Sequence, residues 1–468
     1  MQRLARLTAL ALLAALTAVP MGAAADRMWI GFHDDPSFRW EPDRTSMLDR
    51  AKAANATMFR AVVTWADVAK TKPANPANPF DPAYKLDDVD QLVRDAQSRG
   101  MEVLLTIWGT PKWANGGKGP AYLPKKLSDL TTFSRVIAQR YSGRYAGYPN
   151  VKFFSVWNES NLQLFLAPQF DSKGRSVGPA NYAKLYAAAY NGIKAGNKKA
   201  LVGIGETSSH GRDKPLSGNS GTHSPGKFAE LVAKANPKLK FDAWAHHPYP
   251  FPVSMKPTQK VRWPNVSLAS LPQFEKSLDT WFKRKNIPVW ITEYGHETKP
   301  GEPQGVTESQ QASYIKQAIS IVKKDKRVPM FVWFVFQDTK TSLWQSGLYR
   351  ITAGAKPGLS AFGSAVKSLD ARNAIVSAKA GTKPTVNVSV REFASVNKPG
   401  APIGVTWKLA QGKTVRATGQ PQVPLGSDGW ISFRVNYAVK KNTTYTLSVD
   451  ANDVNGLTVR RTLTLKGV

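Results

Sequence analysis

The sequence of 468 residues contains no cysteine. Disulfide bonds, thiolate nucleophiles, zinc fingers and iron–sulfur clusters held by cysteine are therefore all excluded. Beyond its first 25 residues the chain has no apolar run of the roughly 20 residues that a membrane-spanning helix needs. It also has no Walker loop, no Gly-x-Ser-x-Gly nucleophile elbow and no His-Glu-x-x-His zinc pattern. Several widespread catalytic chemistries are thus excluded from the start.

Acidic residues are scarce, since the chain has 33 Asp and Glu against 64 Lys and Arg, a formal net charge of +31. Such an excess of positive charge admits nucleic acid, anionic polymers or acidic surfaces as partners, but it establishes none of them. The basic residues are spread along the chain without a run of five or more. The simpler interpretation is that these basic residues are solvent-exposed and have no specific partner. We expect no nucleic-acid partner.

The first 25 residues have the three parts of a secretory signal peptide. Arg3 and Arg6 give a positive start, and the uncharged stretch Leu7–Val19 is rich in Ala and Leu. Small residues for cleavage follow at Ala23–Ala25, so we expect cleavage before Asp26. The mature protein is then expected to be secreted and free of the membrane. A retained N-terminal anchor is the alternative interpretation.

From Met28 onward, short apolar runs alternate with longer amphipathic segments. The runs are typical of buried parallel strands, and the segments are typical of helices. Eight such strand–helix units predict a closed (β/α)8 barrel. A doubly wound open sheet is the alternative, but it usually has fewer units, and no Gly-x-Gly-x-x-Gly loop follows the first run. The predicted strands are Met28–Phe32, Met58–Val63, Glu102–Ile107, Lys152–Trp157, Ala200–Ile204, Asp242–His246, Val289–Thr292 and Met330–Val335.

After Leu369 the pattern changes to strict alternation of apolar and polar residues. Alternation with intervening turn residues is typical of strands with one buried face, and no helical pattern occurs here. We therefore predict an antiparallel, immunoglobulin-like β-sandwich at residues 384–468, a linker at 371–383 and the barrel at 26–370. The predicted sandwich strands include Thr385–Val390, Val405–Leu409, Trp430–Val435, Tyr445–Val449 and Thr462–Leu465.

Two glutamates follow apolar strands where a barrel places its active site. Glu159 comes directly after the fourth predicted strand, and Glu293 comes directly after the seventh. The active site of such a barrel lies at the carboxyl ends of its strands, and strands four and seven lie nearly across the ring. Two carboxylates across a cleft are what cleavage of a glycosidic bond needs. In the alternative interpretation one glutamate pairs with a cation and the other is an ordinary loop residue.

The segments Trp157-Asn158-Glu159 and Ile291-Thr292-Glu293-Tyr294-Gly295 resemble the acid/base and nucleophile motifs of the clan A glycoside hydrolases. That clan includes families five, ten and thirty-nine. The resemblance covers the predicted barrel and implies a retaining β-glycosidase with Glu159 as acid/base and Glu293 as nucleophile. Ser160 stands where many relatives have proline, a departure that concerns the shape of the loop.

Other strand ends add to the resemblance. Arg60 resembles the arginine that contacts the nucleophile, and His247 and Tyr249 resemble the His-x-Tyr element of the clan. Trp333 resembles the tryptophan that forms the floor under the sugar. Asn158 is expected to donate a hydrogen bond to the 2-hydroxyl group of the sugar.

Residue chemistry supports these roles independently of the resemblance. Tyr249 and Arg60 can stabilise a negative charge on Glu293, which keeps this carboxylate ionised as a nucleophile. Glu159 would protonate the leaving oxygen and then act as a base toward water. We expect carboxyl groups about 5–5.5 Å apart and retention of anomeric configuration. No cofactor or metal is implied.

His33, Trp108 and Trp113 also stand near predicted strand ends and are candidates for lining the cleft, with core packing as the alternative. The whole pattern predicts a secreted retaining glycoside hydrolase acting on a β-linked polysaccharide or oligosaccharide. A noncatalytic carbohydrate-binding or cell-surface protein on the same barrel is the alternative, and the two intact glutamates argue against it. Sugar, linkage, endo or exo action and oligomeric state do not follow from one sequence.

Overall fold

A computed structural model describes residues 28–216, 220–340, 342, 344–370, 374–390, 392–393, 397–426 and 429–468. The predicted signal peptide lies outside these residues. Among the helices that are described, none combines the length and the apolar character needed to cross a bilayer.

Eight parallel strands form a closed barrel, which confirms the fold predicted from the eight apolar runs. Each strand pairs with its neighbours in chain order, and the first strand pairs with the eighth to close the ring. The carboxyl ends of all eight strands therefore open to one face of the molecule. The strands are β1 (Trp29–His33), β2 (Met58–Thr64), β3 (Glu102–Trp108), β4 (Phe153–Val156), β5 (Leu201–Ser208), β6 (Ala243–His247), β7 (Val289–Tyr294) and β8 (Met330–Phe334).

The inside of the barrel is filled at its lower end by large apolar side chains. Trp29, Phe153 and Trp290 pack edge to face there, together with Leu104 and Met330. The opposite faces of the strands pack under the helices in a second, larger core. Because the lower part of the barrel is packed, only the side chains near the carboxyl ends of the strands line an accessible cleft.

Helices cover the outside of the barrel. Glu308–Lys324 begins with the capping box predicted from the spacing of Thr307 and Gln310. Pro179 stands in the first turn of its helix, where a missing N–H is tolerated. The helices are α1 (Arg44–Ala53), α2 (Trp65–Val68), α3 (Asp87–Ser98), α4 (Lys112–Asn115), α5 (Leu127–Arg140), α6 (Gly178–Gly196), α7 (Pro225–Ala235), α8 (Leu271–Phe282), α9 (Glu308–Lys324) and α10 (Pro357–Asp370).

The C-terminal region consists of β-sheets around its own apolar core. The larger sheet has the order β9-β16-β15-β11-β12, with β13 also paired to β11, and β10 pairs with β14. The strands are β9 (Ala374–Ala378), β10 (Thr385–Ser389), β11 (Pro402–Gln411), β12 (Thr414–Gly419), β13 (Gln422–Pro424), β14 (Trp430–Arg434), β15 (Thr444–Asn452) and β16 (Thr458–Gly467).

Two expectations about this region are corrected by β9. Residues 374–378 were expected in a linker, but they form an edge strand of the larger sheet. The sheet was also expected to be wholly antiparallel, yet β9 and β16 pair in parallel, from Ala374 opposite Leu463 to Ala378 opposite Gly467. The short sequence Ala-Ile-Val-Ser-Ala lacks a long alternation, so its strand character is set by the partner strand rather than by its own pattern.

Candidate active site

Glu159 and Glu293 face the same space at the carboxyl ends of the barrel strands. One nitrogen of His247, Nδ1, lies 3.2 Å from Oε1 of Glu159 and 3.5 Å from Oε2 of Glu293. Glu293 lies within β7, whereas Glu159 follows β4 on a loop. Trp157 and Glu159 have positive φ angles of 75° and 35° in that loop. Such backbone conformations are costly for residues other than glycine and are concentrated at functional sites.

Three side chains converge on the Glu293 carboxylate. The Arg60 guanidinium forms an ion pair with Oε1, and Nδ1 of His33 lies 3.1 Å from the same oxygen. The Tyr249 hydroxyl donates a hydrogen bond of 2.8 Å to Oε2. Burial and the charge of Glu293 raise the pKa of Tyr249 well above its ordinary value, so this hydroxyl keeps its proton and remains a donor. Both oxygens of Glu293 are therefore contacted by side chains from β1, β2 and the loop after β6.

The surroundings of Glu293 keep it ionised. Burial, which leaves only 7% of this residue exposed, would by itself raise its pKa. The positive charges of His247 and Arg60 outweigh that effect and hold the pKa of Glu293 well below its ordinary range. An ionised carboxylate in a mostly dehydrated position is a group suited to attack on carbon.

His247 is a buried cation between three carboxylates. Burial favours its neutral form, but the charge of Glu293 and the hydrogen bonds to Glu159 and Glu206 raise the pKa of His247 to about 9. Both ring nitrogens then carry protons, so Nδ1 faces the two glutamates at the mouth and Nε2 donates 2.7 Å to Oε2 of Glu206. The neighbouring His246 faces the other side of the strand and contacts Thr207, as strand alternation requires.

Glu206 is the buried carboxylate that sequence reasoning missed. It is completely buried near the end of β5, and Oε2 accepts hydrogen bonds from His247, from Arg60 at 3.2 Å and from Thr292 at 2.7 Å. Burial alone would raise the pKa of Glu206, but the Arg60 and His247 cations lower it. The strand register shifts between Gly205 and Thr207, so Glu206 sits in a bulge. Glycine inside a predicted strand is the signal that could have indicated this bulge.

Arg60 and Asn158 are further polar side chains at the carboxyl ends of the strands, near the two glutamates. Nη2 of Arg60 donates 2.9 Å to Oδ1 of Asn158, and Nε donates 2.9 Å to the hydroxyl of Thr106. With Oδ1 of Asn158 accepting from Arg60, the NH₂ end of this amide is the end left to donate to a ligand. The structure thus brings together seven residues selected from the sequence, which are His33, Arg60, Asn158, Glu159, His247, Tyr249 and Glu293.

Trp333 does not line the mouth, which corrects its expected role as a floor under the sugar. Its side chain is 0% exposed, and Nε1 donates 3.0 Å to the carbonyl of Ser346 behind the barrel wall. Met330 and Val332 of the same strand point into the barrel, so alternation directs Phe334 inward and Trp333 outward. The half-buried Phe334 ring lies 5.0 Å from the His33 ring and occupies the position expected for the floor.

The other two tryptophans proposed for the cleft are held by structural contacts. Trp113 donates 2.8 Å to the carbonyl of Ala69 and packs edge to face on Trp65. Trp108 is half-buried and donates 3.3 Å to the carbonyl of Phe165. These contacts favour the alternative interpretation for both tryptophans, in which they pack within the protein rather than line the cleft.

Two cavities flank the paired carboxylates. The first, which we call the Tyr249 pocket, has a volume of about 320 Å³ and is lined by His210, Tyr249, Phe251, Lys260, Arg262 and their neighbours. The second, the Trp40 pocket, has a volume of about 360 Å³ and is lined by His33, Asp34, Asp35, Trp40, Phe334 and their neighbours. Each cavity has one lining residue that contacts Glu293, which is Tyr249 in the first and His33 in the second.

Comparison with known proteins gives a family match in sequence and matches to the barrel fold in structure. The family model described as cellulase (glycosyl hydrolase family 5) matches residues 23–337. No curated protein matches the chain in sequence. Among solved structures, a family 39 glycoside hydrolase from Bacteroides cellulosilyticus WH2 aligns with a TM-score of 0.54 and 16% identity over 87% of this chain and 79% of that one. GH5_18 from Streptomyces cattleya, in complex with GlcNAc, aligns with a TM-score of 0.54 and 16% identity over 76% and 85%.

Proposed function

The chain belongs to the cellulase family, glycosyl hydrolase family 5, and we propose that it cleaves β-glycosidic bonds of an oligosaccharide or polysaccharide with retention of configuration. The observation that carries this proposal is the shared contact of His247, whose Nδ1 lies within 3.5 Å of both Glu159 and Glu293. Two carboxyl groups so placed fit a double displacement, in which they are about 5–5.5 Å apart.

We assign the nucleophilic role to Glu293. Its pKa is held below the ordinary range by His247 and Arg60, so it attacks as a carboxylate without a base to activate it. In the first step an oxygen of Glu293 bonds to the anomeric carbon, and the bond from that carbon to the leaving oxygen breaks. The proton carried by Glu159 passes to the leaving oxygen in the same step.

Glu159 is the acid/base in this proposal. After the leaving group departs, Glu159 removes a proton from water, and the water oxygen attacks the anomeric carbon. The ester bond to Glu293 breaks, and both carboxyl groups return to their starting protonation states. Two inversions at one carbon leave its configuration unchanged, and water is the only co-reactant.

Neighbouring side chains would hold the sugar and balance the charge. Tyr249 and Arg60 keep Glu293 in position, and the amide of Asn158 would donate to the sugar 2-hydroxyl. His247 supplies a positive charge beside the group whose charge appears and disappears during the reaction. The ring of Phe334, rather than that of Trp333, would contact the apolar face of the sugar.

Hydrolysis of a panel of aryl β-glycosides and β-linked oligosaccharides tests this function. We expect turnover by the wild-type chain and none by the Glu159→Gln/Glu293→Gln double variant, which controls for contaminating enzymes. Proton NMR of the first-formed product should show the β-anomer. Formation of the α-anomer would contradict the double displacement, and sugar binding without turnover would favour a noncatalytic binding protein.

We also propose that the first 25 residues direct export of the protein. The positive start, the uncharged stretch Leu7–Val19 and the small residues before Asp26 support this proposal. Expression with the native leader should yield a secreted chain whose amino terminus, read by mass spectrometry, is Asp26. A full-length chain retained with the cells would contradict it.

A further inference from the structure

The Tyr249 pocket adjoins the proposed reaction centre. It begins at the ring of Tyr249, whose hydroxyl contacts Glu293. Its far wall includes His210, whose backbone segment is tied to the Glu159 loop through Asn161. The Asn161 amide accepts 2.8 Å from the Ser208 N–H and donates to the carbonyl of His210. A ligand unit in this pocket therefore lies next to the Tyr249 side chain that contacts Glu293, and one wall of the pocket is joined by hydrogen bonds to the loop that carries Glu159.

Two uncompensated cations line this pocket. The side chains of Lys260 and Arg262 are exposed, and in the described part of the chain no acidic group lies within 4 Å of either. Residues 248–270, which connect β6 to α8, contain Lys256, Lys260 and Arg262 but no Asp or Glu. Lys260 and Arg262 therefore present unpaired positive charge to the pocket, and this charge favours an anionic ligand.

The pocket also offers an aromatic surface to a sugar ring. Phe251 is 58% exposed, and one face of its ring stacks on His210 with a centroid distance of 4.1 Å and an interplanar angle of 12°. The stacked histidine fixes the orientation of the phenyl ring, and the solvent-facing side is available to an apolar sugar face. An exposed ring beside two free cations suits a ligand that is both cyclic and negatively charged.

The acidic residues of the Trp40 pocket have partners within the protein. Asp34 and Asp35 lie there, and Asp35 is paired with Arg39 at 2.9 Å and with His33 at 3.6 Å. Asp34 accepts backbone N–H groups of Phe336 and Gln337. The charges of the Trp40 pocket are thus satisfied within the protein, whereas the cations of the Tyr249 pocket are left for a ligand.

We propose that the Tyr249 pocket binds an anionic sugar unit, one that carries a carboxylate or a sulfate group, with Lys260 and Arg262 as specificity determinants. This inference rests on the proposed function, since it names the class of substrate for the same site. Charge-assisted hydrogen bonds from a lysine and an arginine would hold the anion, and Phe251 would support the ring.

Matched pairs of substrates test the proposal with the full chain. Cello- and manno-oligosaccharides are compared with the same compounds partly oxidised to uronates at C6, and with sulfated forms. Binding is measured by calorimetry and cleavage by initial rates. For wild type we expect at least one anionic form to be preferred over its neutral parent by about 10-fold. Comparison of the uronate and sulfated substrates shows which of the two anionic groups the protein prefers.

Two double variants with equal loss of charge localise the effect. Lys260→Gln/Arg262→Gln should reduce the ratio of anionic to neutral affinity to about one. Lys276→Gln/Lys316→Gln, which removes exposed lysines of α8 and α9 that do not line the pocket, should leave the ratio at the wild-type value. An equal loss in both double variants would mean that overall charge, not this pocket, causes the preference, and would overturn the proposal.

The outcomes separate this inference from the proposed function. Hydrolysis of aryl β-glycosides with no preference for anionic oligosaccharides would overturn the pocket assignment and leave the glycosidase intact. Preferential binding of an anionic oligosaccharide, lost only in the Lys260/Arg262 variant, would support the pocket even if no panel member were cleaved. That second result would overturn the proposed function alone.

Discussion

The buried carboxylate of Glu206 accepts a hydrogen bond of 2.7 Å from Nε2 of His247, and this contact links the interior of the barrel to the paired glutamates at its mouth. On its other side His247 faces Glu159 and Glu293 through Nδ1. The orientation and charge of this imidazole therefore depend on a residue that no ligand touches.

Replacing Glu206 should destabilise the protein strongly. Glu206→Ala leaves Arg60 and His247 buried without one of their carboxylate partners, and removal of one member of a buried ion pair costs about 3–5 kcal/mol. The control is Glu230→Ala, because Glu230 forms an exposed pair with Lys227 on α7 and should cost about 1 kcal/mol or less. Urea unfolding measures both values. Equal losses in the two variants would refute the structural importance assigned to Glu206.

Removal of the Glu293 carboxylate should abolish turnover, and a small anion should restore part of the activity. Glu293→Ala should lower kcat on an activated aryl β-glycoside by about 10⁴-fold or more. Azide, entering the space left by the carboxylate, should restore part of the rate and give the α-glycosyl azide, since it attacks directly from the nucleophile side. A β-glycosyl azide would instead show that Glu293 is the acid/base residue and would reverse the two roles.

His247 should make stability fall as the solution becomes alkaline. Folding raises the pKa of His247 from 6.5 to about 9, so its contribution is full below pH 6.5 and is lost as the pH rises through about 9. The free energy of unfolding should decline more steeply over this window in wild type than in His247→Gln. His246→Gln is the matched control, because the pKa of His246 is lowered to about 3 and this residue stays neutral throughout. Identical pH dependence in all three proteins would contradict the assignment.

Adjacent aromatic residues on β8 should respond differently to truncation. Trp333→Ala removes a completely buried side chain and should cost about 3–5 kcal/mol of stability. Phe334→Ala should cost less because the ring is half-buried, but it should raise KM for the substrate several-fold through loss of a sugar-contacting face. Thermal unfolding and steady-state kinetics of both variants provide the comparison. A larger rise of KM in a folded Trp333 variant would restore the original expectation.

The barrel and the two mouth glutamates were predictable because strong local patterns specify them. Parallel strands buried on both faces need continuous apolar runs, and the ends of those runs located Glu159 and Glu293. The ends of some strands differ from the predicted ends by a few residues. For example, β5 was expected to end at Ile204 but continues to Ser208. That extension carries Glu206, so a small error of strand length hid a central residue of the site.

The remaining errors arose where partners, not local sequence, decide the structure. Trp333 and Phe334 are both aromatic, and only the inward direction of Met330 and Val332 determines which ring enters the mouth. Residues 374–378 become a strand because β16 lies beside them. The cations of the Tyr249 pocket are likewise separated in sequence from Glu159 and Glu293, so no spacing rule places them in one pocket with Tyr249.

The parallel pairing of β9 with β16 has a consequence for biosynthesis. β9 leaves the ribosome long before Thr458–Gly467, yet that segment is its partner in the sheet. Until translation reaches β16, the edge of β9 has unpaired backbone groups and must stay solvated or be shielded by a chaperone. The barrel, whose ring closes with β8, is able to fold earlier, so we expect the barrel to acquire structure before the C-terminal sheet.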